Sequence, residues 1–103
     1  MPYAFVYDVP ANEAIYRDIK AALGDDPPAG LIVHVAMKRD KGLRYVDVWE
    51  TEADWDRFHT EQLDPAVAAA LASRGIPMDR SQVDFRTVEV IDTWLGTTVA
   101  AAG

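Results

Sequence analysis

Two runs of β-forming residues, joined across a short glycine turn and followed at once by a helix start, constrain this chain more than any other feature. Leu31 to Arg39 reads LIVHVAMKR, Asp40-Lys41-Gly42 closes the turn, and Leu43 to Glu50 returns as LRYVDVWE. Branched and aromatic side chains suit a pleated surface, and a glycine just before the return run is hairpin chemistry. Thr51 then caps a helix with an acidic first turn, with Asp54 three residues on as a short-armed capping box. A hairpin that feeds a helix has one face covered by that helix and needs neighbours on its edges.

The flanking sequence supplies those neighbours. Tyr3 to Val9 is an aromatic, branched run that stops at Pro10, a strand signature. Asn12 opens a helix on which Ile15, Ile19 and Leu23 form a stripe, and Gly24 is placed to give it a left-handed exit before Asp25-Asp26-Pro27-Pro28. After the hairpin, Trp55, Phe58 and Gln62 share one side of the second helix. Asp64-Pro65 is expected to restart that helix, with Val67 and Leu71 as a thin apolar face. Gly75 and Pro77 end it, and a last strand is expected from about Gln82 to Ile91. The order is β-α-β-β-α-β, a ferredoxin-like α+β split unit with helices on one face of an antiparallel sheet. Residues 1–95 are expected to form that single domain and 96–103 a flexible tail. Several strands carry apolar residues at both parities, so the uncovered face calls for a partner, and two sheets packed face to face would make a homodimer.

Charge and composition remove whole classes of function. A net charge of −7 argues against nucleic acid, which needs a basic surface, and against anionic membranes. The absence of cysteine excludes disulfides, thiolate catalysis and Cys-type metal sites. No apolar run is long enough to span a bilayer and the N-terminus lacks a basic, apolar leader, so a cytoplasmic protein is the expectation.

His34 and Asp47 are the candidate acid–base pair, because an imidazole oriented by a carboxylate moves protons near neutral pH. Whether they meet depends on the turn. A two-residue turn at Lys41-Gly42 sets His34 opposite Trp49 and gathers Ile32, His34, Ala36, Tyr45, Asp47 and Trp49 on one face, leaving Val33, Val35, Val46 and Val48 on the other. A three-residue turn sets His34 opposite Val48 and sends Asp47 to the other side. Turn chemistry favours the second, since Lys41 resists positive φ, whereas segregation of polar residues favours the first. His34 reads equally as a hydrogen-bonded strut in a core or interface. Tyr45, Trp49, Trp55 and Phe58 are candidate substrate walls that also serve as core, the same reading holds for Tyr3, Phe5 and Tyr7, and His59 reads as a solvated or half-buried helix residue. The two histidines have no metal-ligand spacing, and no phosphate loop or nucleophile elbow is present.

The stretch Asp47-Val48-Trp49-Glu50-Thr51-Glu52-Ala53-Asp54-Trp55-Asp56-Arg57-Phe58 resembles the dimeric α/β-barrel family of antibiotic-biosynthesis-monooxygenase-like proteins. The Gly30 to Ala36 strand and the element order are similar to that family too, so the resemblance covers nearly the whole chain. It implies a homodimer joined through the sheets, with a pocket inside each subunit between sheet and helices. It also implies an enzyme without a tightly bound cofactor that acts on a small aromatic or polyketide-like molecule by oxygenation or proton transfer. In that scheme His34 is general base or orienter, Asp47 its partner, and Tyr45, Trp49, Trp55 and Phe58 the walls. The haem-degrading branch is not matched: its helical tryptophan falls near Phe58, its iron-ligating histidine near Ala68, and the first strand has no asparagine. The competing class is a non-catalytic ligand-binding or dimerisation module.

Overall fold

A computed structural model describes residues 2–96 of the chain. Four antiparallel strands, β1 (Tyr3–Val9), β2 (Leu31–Lys38), β3 (Leu43–Trp49) and β4 (Asp84–Val88), form one sheet in the order β2-β3-β1-β4. Helices α1 (Glu13–Leu23), α2 (Glu52–Phe58) and α3 (Asp64–Ser73) cover one face, which gives the ferredoxin-like α+β fold. The expected tail lies, Gly96 aside, outside the described residues.

Local chemistry explains most element ends. Asn12 Oδ1 accepts from the Ile15 backbone N–H at 2.9 Å, and Thr51 Oγ1 accepts from that of Asp54 at 3.1 Å. Asp54 completes its cap by accepting from the Thr51 hydroxyl, since its arm is too short to reach back to the backbone. Gly24 has positive φ, but its ψ of −174° makes it an extended exit, not a left-handed helical one, because the chain leaves straight into the proline loop.

The hairpin loop is longer than either sequence register allows. Arg39–Gly42 forms a four-residue loop, and His34 stands directly opposite Asp47, with Ala36 opposite Tyr45. Arg39 leaves the strand because its side chain donates to the Lys41 carbonyl and leans towards Asp8. Gly42 sits at φ +87°, where an added Cβ would lie 2.1 Å from the Val9 carbonyl oxygen. This lengthening preserves the parity of the two-residue turn, so the polar face assembles. A bulge between Leu31 and Val33 makes one change: Leu31, and not Ile32, stands opposite Trp49 and packs with it.

The second helix does not restart at Asp64. Phe58, Leu63 and Asp64 all keep helical backbone angles, and a π turn (His59–Leu63) links α2 to α3. Asp64 donates its N–H to the His59 carbonyl, five residues back, so the wider turn takes up Pro65, which has no N–H to give. The π turn also rotates α3, and its most buried residues are Ala66 and Ala70, with Val67 and Leu71 partly buried beside them. The last strand is shorter than expected at both ends: the Arg80–Gln82 3₁₀ turn takes up Gln82, and the strand stops at Val88, where its pairing with β1 reaches Ala4.

Two clusters form the core. Ile15 and Ile19 meet Ala66 and Ala70 between the helices, while Phe5, Trp49 and Trp55 pack between helix and sheet. The opposite face of the sheet is aliphatic in its middle, where Val6, Val46 and Val35 lie in one row. At one end of that face Asp8 is buried beneath a bidentate Arg44 guanidinium, with Arg39 and Arg86 close by.

Candidate active site

Strand pairing places His34 of β2 and Asp47 of β3 side by side on the helix-covered face, and the residues are joined directly. His34 Nδ1 lies 2.6 Å from Asp47 Oδ1. The other carboxylate oxygen accepts from Trp49 Nε1–H at 3.1 Å, a contact that period-two alternation makes possible because residues 47 and 49 share a face. At its far side His34 Nε2 is 3.0 Å from the hydroxyl of Tyr16, delivered by α1. Four side chains therefore form an unbroken line, Trp49–Asp47–His34–Tyr16.

Burial grades along this line. Trp49 is 1 % exposed and Asp47 5 %, while the His34 and Tyr16 side chains are half-buried. The outer pair borders a cavity of about 840 Å³ between the sheet and the helices. The sheet side of the cavity carries Tyr7 and Tyr45 beside His34, and the helix side carries Ile19, Val67 and Leu71 together with the polar Gln62 and Asp64. The rings of Tyr16, His34 and Tyr45 lie within 6.1 Å of one another, centre to centre. Burial pushes the phenols of Tyr7, Tyr16 and Tyr45 above their ordinary value. For Tyr16 the Asp47 carboxylate adds to that rise and Arg17 opposes it. All three phenols stay protonated near neutral pH and present O–H groups.

Each candidate from the sequence has a place here. Tyr45 and Phe58 border the cavity from β3 and α2. Trp49 and Trp55 also border it, yet they are the buried pillars of the sheet cluster, with Trp55 5 % exposed. His59 stays apart from His34: it stacks on Trp55 and lies 3.1 Å from Asp64. Among the described residues no group of His, Cys, Asp and Glu has a metal-binding arrangement. No helix of the described residues is long and apolar enough to cross a membrane.

Sequence reasoning missed Tyr16. The available signal was its position three residues before Ile19 and seven before Leu23, which sets an aromatic hydroxyl at the edge of the apolar stripe of α1. Tyr7, which reads from the sequence as core before substrate wall, borders the cavity from β1; an alternating aromatic strand looks the same whether it fills a core or floors a cavity.

No protein-family model matches the chain, and no curated protein matches it. Solved structures do. The chain is similar to NE2512, a protein of unknown function from Nitrosomonas europaea, at 20% identity and a TM-score of 0.57, over 94% of this chain and 95% of that one. It is also similar to a variant of SnoaB, a cofactor-independent oxygenase from Streptomyces nogalater, at 13% identity and a TM-score of 0.55, over 89% of this chain and 93% of the other. The chain thus shares, over nearly its whole length, the fold that the hairpin-to-helix motif implied.

Proposed function

We propose that this chain is a small-molecule enzyme that takes a proton from an acidic aromatic or polyketide-like ketone, or its enol, and exposes the resulting anion to dioxygen. The observation that carries this reading is the carboxylate-anchored imidazole line at the wall of a ligand-sized cavity. Asp47, held by Trp49, fixes the His34 tautomer with hydrogen on Nδ1, which leaves the other nitrogen basic. Ile19, Val67 and Leu71 on the helix side accommodate an apolar ring, and phenolic O–H groups on the sheet side stabilise oxygen that gains negative charge. No tightly bound cofactor is required: the substrate carbanion supplies the electrons and dioxygen accepts them. A CH₂ group and O₂ then yield a hydroperoxide, which loses water to leave a carbonyl.

The reading includes a second copy of the chain. Val35 and Val88 on the uncovered sheet face are 44% and 47% exposed, and packing two such faces together would remove them from water. The fold shared with SnoaB, a cofactor-independent oxygenase, supports this family of chemistry and not any particular substrate.

Anthrone, whose acidic CH₂ becomes a carbonyl with uptake of one O₂ and release of one water, is a direct probe. The protein is expected to accelerate O₂ uptake, and His34→Gln to slow the catalysed rate by about 10²-fold or more. An unchanged rate in the variant, or no acceleration by the wild type, sinks the reading. Binding of anthrone without turnover would favour the non-catalytic module.

A further inference from the structure

Both nitrogens of His34 are occupied, and this decides which atom meets the substrate. Asp47 receives hydrogen bonds from Trp49 and His34, and a carboxylate only accepts, so the imidazole hydrogen resides on Nδ1. Nε2 of the neutral ring is then an acceptor, and the Tyr16 O–H, 3.0 Å away, donates to it. With the ring neutral, every polarity along Trp49–Asp47–His34–Tyr16 follows from the carboxylate. His34 has no nitrogen left for a ligand. The free valence of the line is the outward side of the Tyr16 oxygen, which can accept one further hydrogen bond, and Tyr16 borders the cavity.

We propose that Tyr16 is the residue through which the substrate proton passes, and that the group presented to it is a phenolic or enolic O–H. The inference rests on the proton-transfer reading above and names the atom and substrate group it uses. In the step, the substrate O–H bond breaks as its proton joins the Tyr16 oxygen. The Tyr16 proton passes to His34 Nε2 in the same event, and the substrate keeps the electron pair as an enolate or phenolate. Tyr16 ends as it began, a neutral phenol, while the imidazolium faces Asp47. A buried phenol that resists standing as a free phenolate suits this exchange, because it never has to exist as one. Transfer between two hydrogen-bonded oxygens also explains why a hydroxyl, a poor acceptor from carbon, stands at the mouth of the line. The enol tautomer of a CH₂ ketone, and not its C–H form, is the species bound.

The probe is 4-nitrophenol, whose phenolate is yellow and whose neutral form is colourless, titrated with the full chain by difference spectroscopy. The charged and titratable groups around the line are Glu13, Arg17, Lys38, Tyr7, Tyr45 and Asp47, with Lys20, Asp25, Asp26, Asp64, Asp79 and Arg80 around the cavity, and all are retained in the variants compared. The bound dye is expected to ionise about one pH unit below the free dye, because the imidazolium formed is charge-paired to the phenolate through Tyr16. Tyr16→Phe keeps the ring and so the cavity wall; it should bind the dye with its ionisation back at the free value. His34→Gln should abolish the shift as well. A shift that survives in Tyr16→Phe but not in His34→Gln overturns the Tyr16 assignment and leaves the proton-transfer reading standing. Bound dye with no shift in the wild type overturns the relay itself. Failure of the wild type to bind any dye counts against the aromatic-ligand reading, and the inference falls with it. Circular dichroism of each variant separates these outcomes from misfolding.

Discussion

Asp47 joins the stability of the fold to the proposed proton transfer, and replacing it tests both. The carboxylate is 5% exposed and accepts from two donors in very different surroundings. Trp49 is 1% exposed, so its indole N–H, once orphaned, has no water to turn to; an unsatisfied buried donor costs about 1–3 kcal/mol. The His34 side chain is 29% exposed and borders the cavity, so its freed nitrogen can hydrate, and losing that bond costs about 0.5–1.5 kcal/mol. Together Asp47→Ala is expected to destabilise by about 1.5–4.5 kcal/mol, a large share of the roughly 5–15 kcal/mol typical of a domain. Urea unfolding followed by circular dichroism measures it. A double-mutant cycle isolates the indole contribution: in a Trp49→Phe background, where no N–H remains, Asp47→Ala should cost about 1–3 kcal/mol less. Asp47→Asn should behave differently. Its carbonyl can still accept from Trp49 and its amide can donate to Nδ1, which moves the imidazole hydrogen to Nε2. That protein should fold with a loss under about 1.5 kcal/mol and yet lose proton uptake, since the line now points outward. An equal cost of Asp47→Ala in both backgrounds would refute the argument.

Three further outcomes follow from separate parts of the molecule. Gly42→Ala forces a side chain into positive φ and against the Val9 carbonyl, so a loss of about 1–3 kcal/mol or more is expected in the same unfolding assay, and a neutral result would contradict the loop geometry. Asp8 is held at about 2, below its ordinary 3.8, chiefly by the hydrogen bond from Arg44. A depressed folded value means its stabilisation is full above 3.8 and disappears as pH falls through about 2. The thermal midpoint of the wild type should therefore drop more steeply across that window than that of Asp8→Asn, and parallel curves would count against it. Val46→Asp, in the middle of the uncovered sheet face, should convert a dimer to a monomer by light scattering at micromolar concentration, whereas a monomeric wild type would contradict the partner reading.

The parts legible in the sequence were those governed by nearest neighbours. Asn12 and Thr51 announced their helices because a cap is a contact within three residues, and the aromatic and branched runs announced their strands. The hairpin loop was not legible, because Arg39 leaves its strand for Asp8, a partner some thirty residues back in the chain. Nor was the π turn: Asp64-Pro65 looks like a helix start in isolation, and only packing of Ala66 and Ala70 on α1 shows why the helix runs through. In the candidate site, His34 and Asp47 could be named, while their pairing hung on the parity of the loop. Tyr16 belongs to a different element and enters only when α1 lies across β2 and β3. Pattern reveals which face a residue takes; it does not reveal which face meets it.

The π turn separates two jobs by its position along the chain. Every member of the Trp49–Asp47–His34–Tyr16 line lies before it, on α1, β2 and β3, whereas Val67 and Leu71, which border the cavity from the helix side, lie after it. A π turn is a helix carrying one residue more than its hydrogen bonding needs, and each residue turns a helix by about 100°. Loss or gain of a single residue between His59 and Leu63 would therefore re-index the cavity roof, presenting a different set of α3 side chains to whatever is bound. The sheet would not need to move. In evolutionary terms the chain holds a dial for cavity shape, and turning it leaves the hydrogen-bonded line untouched.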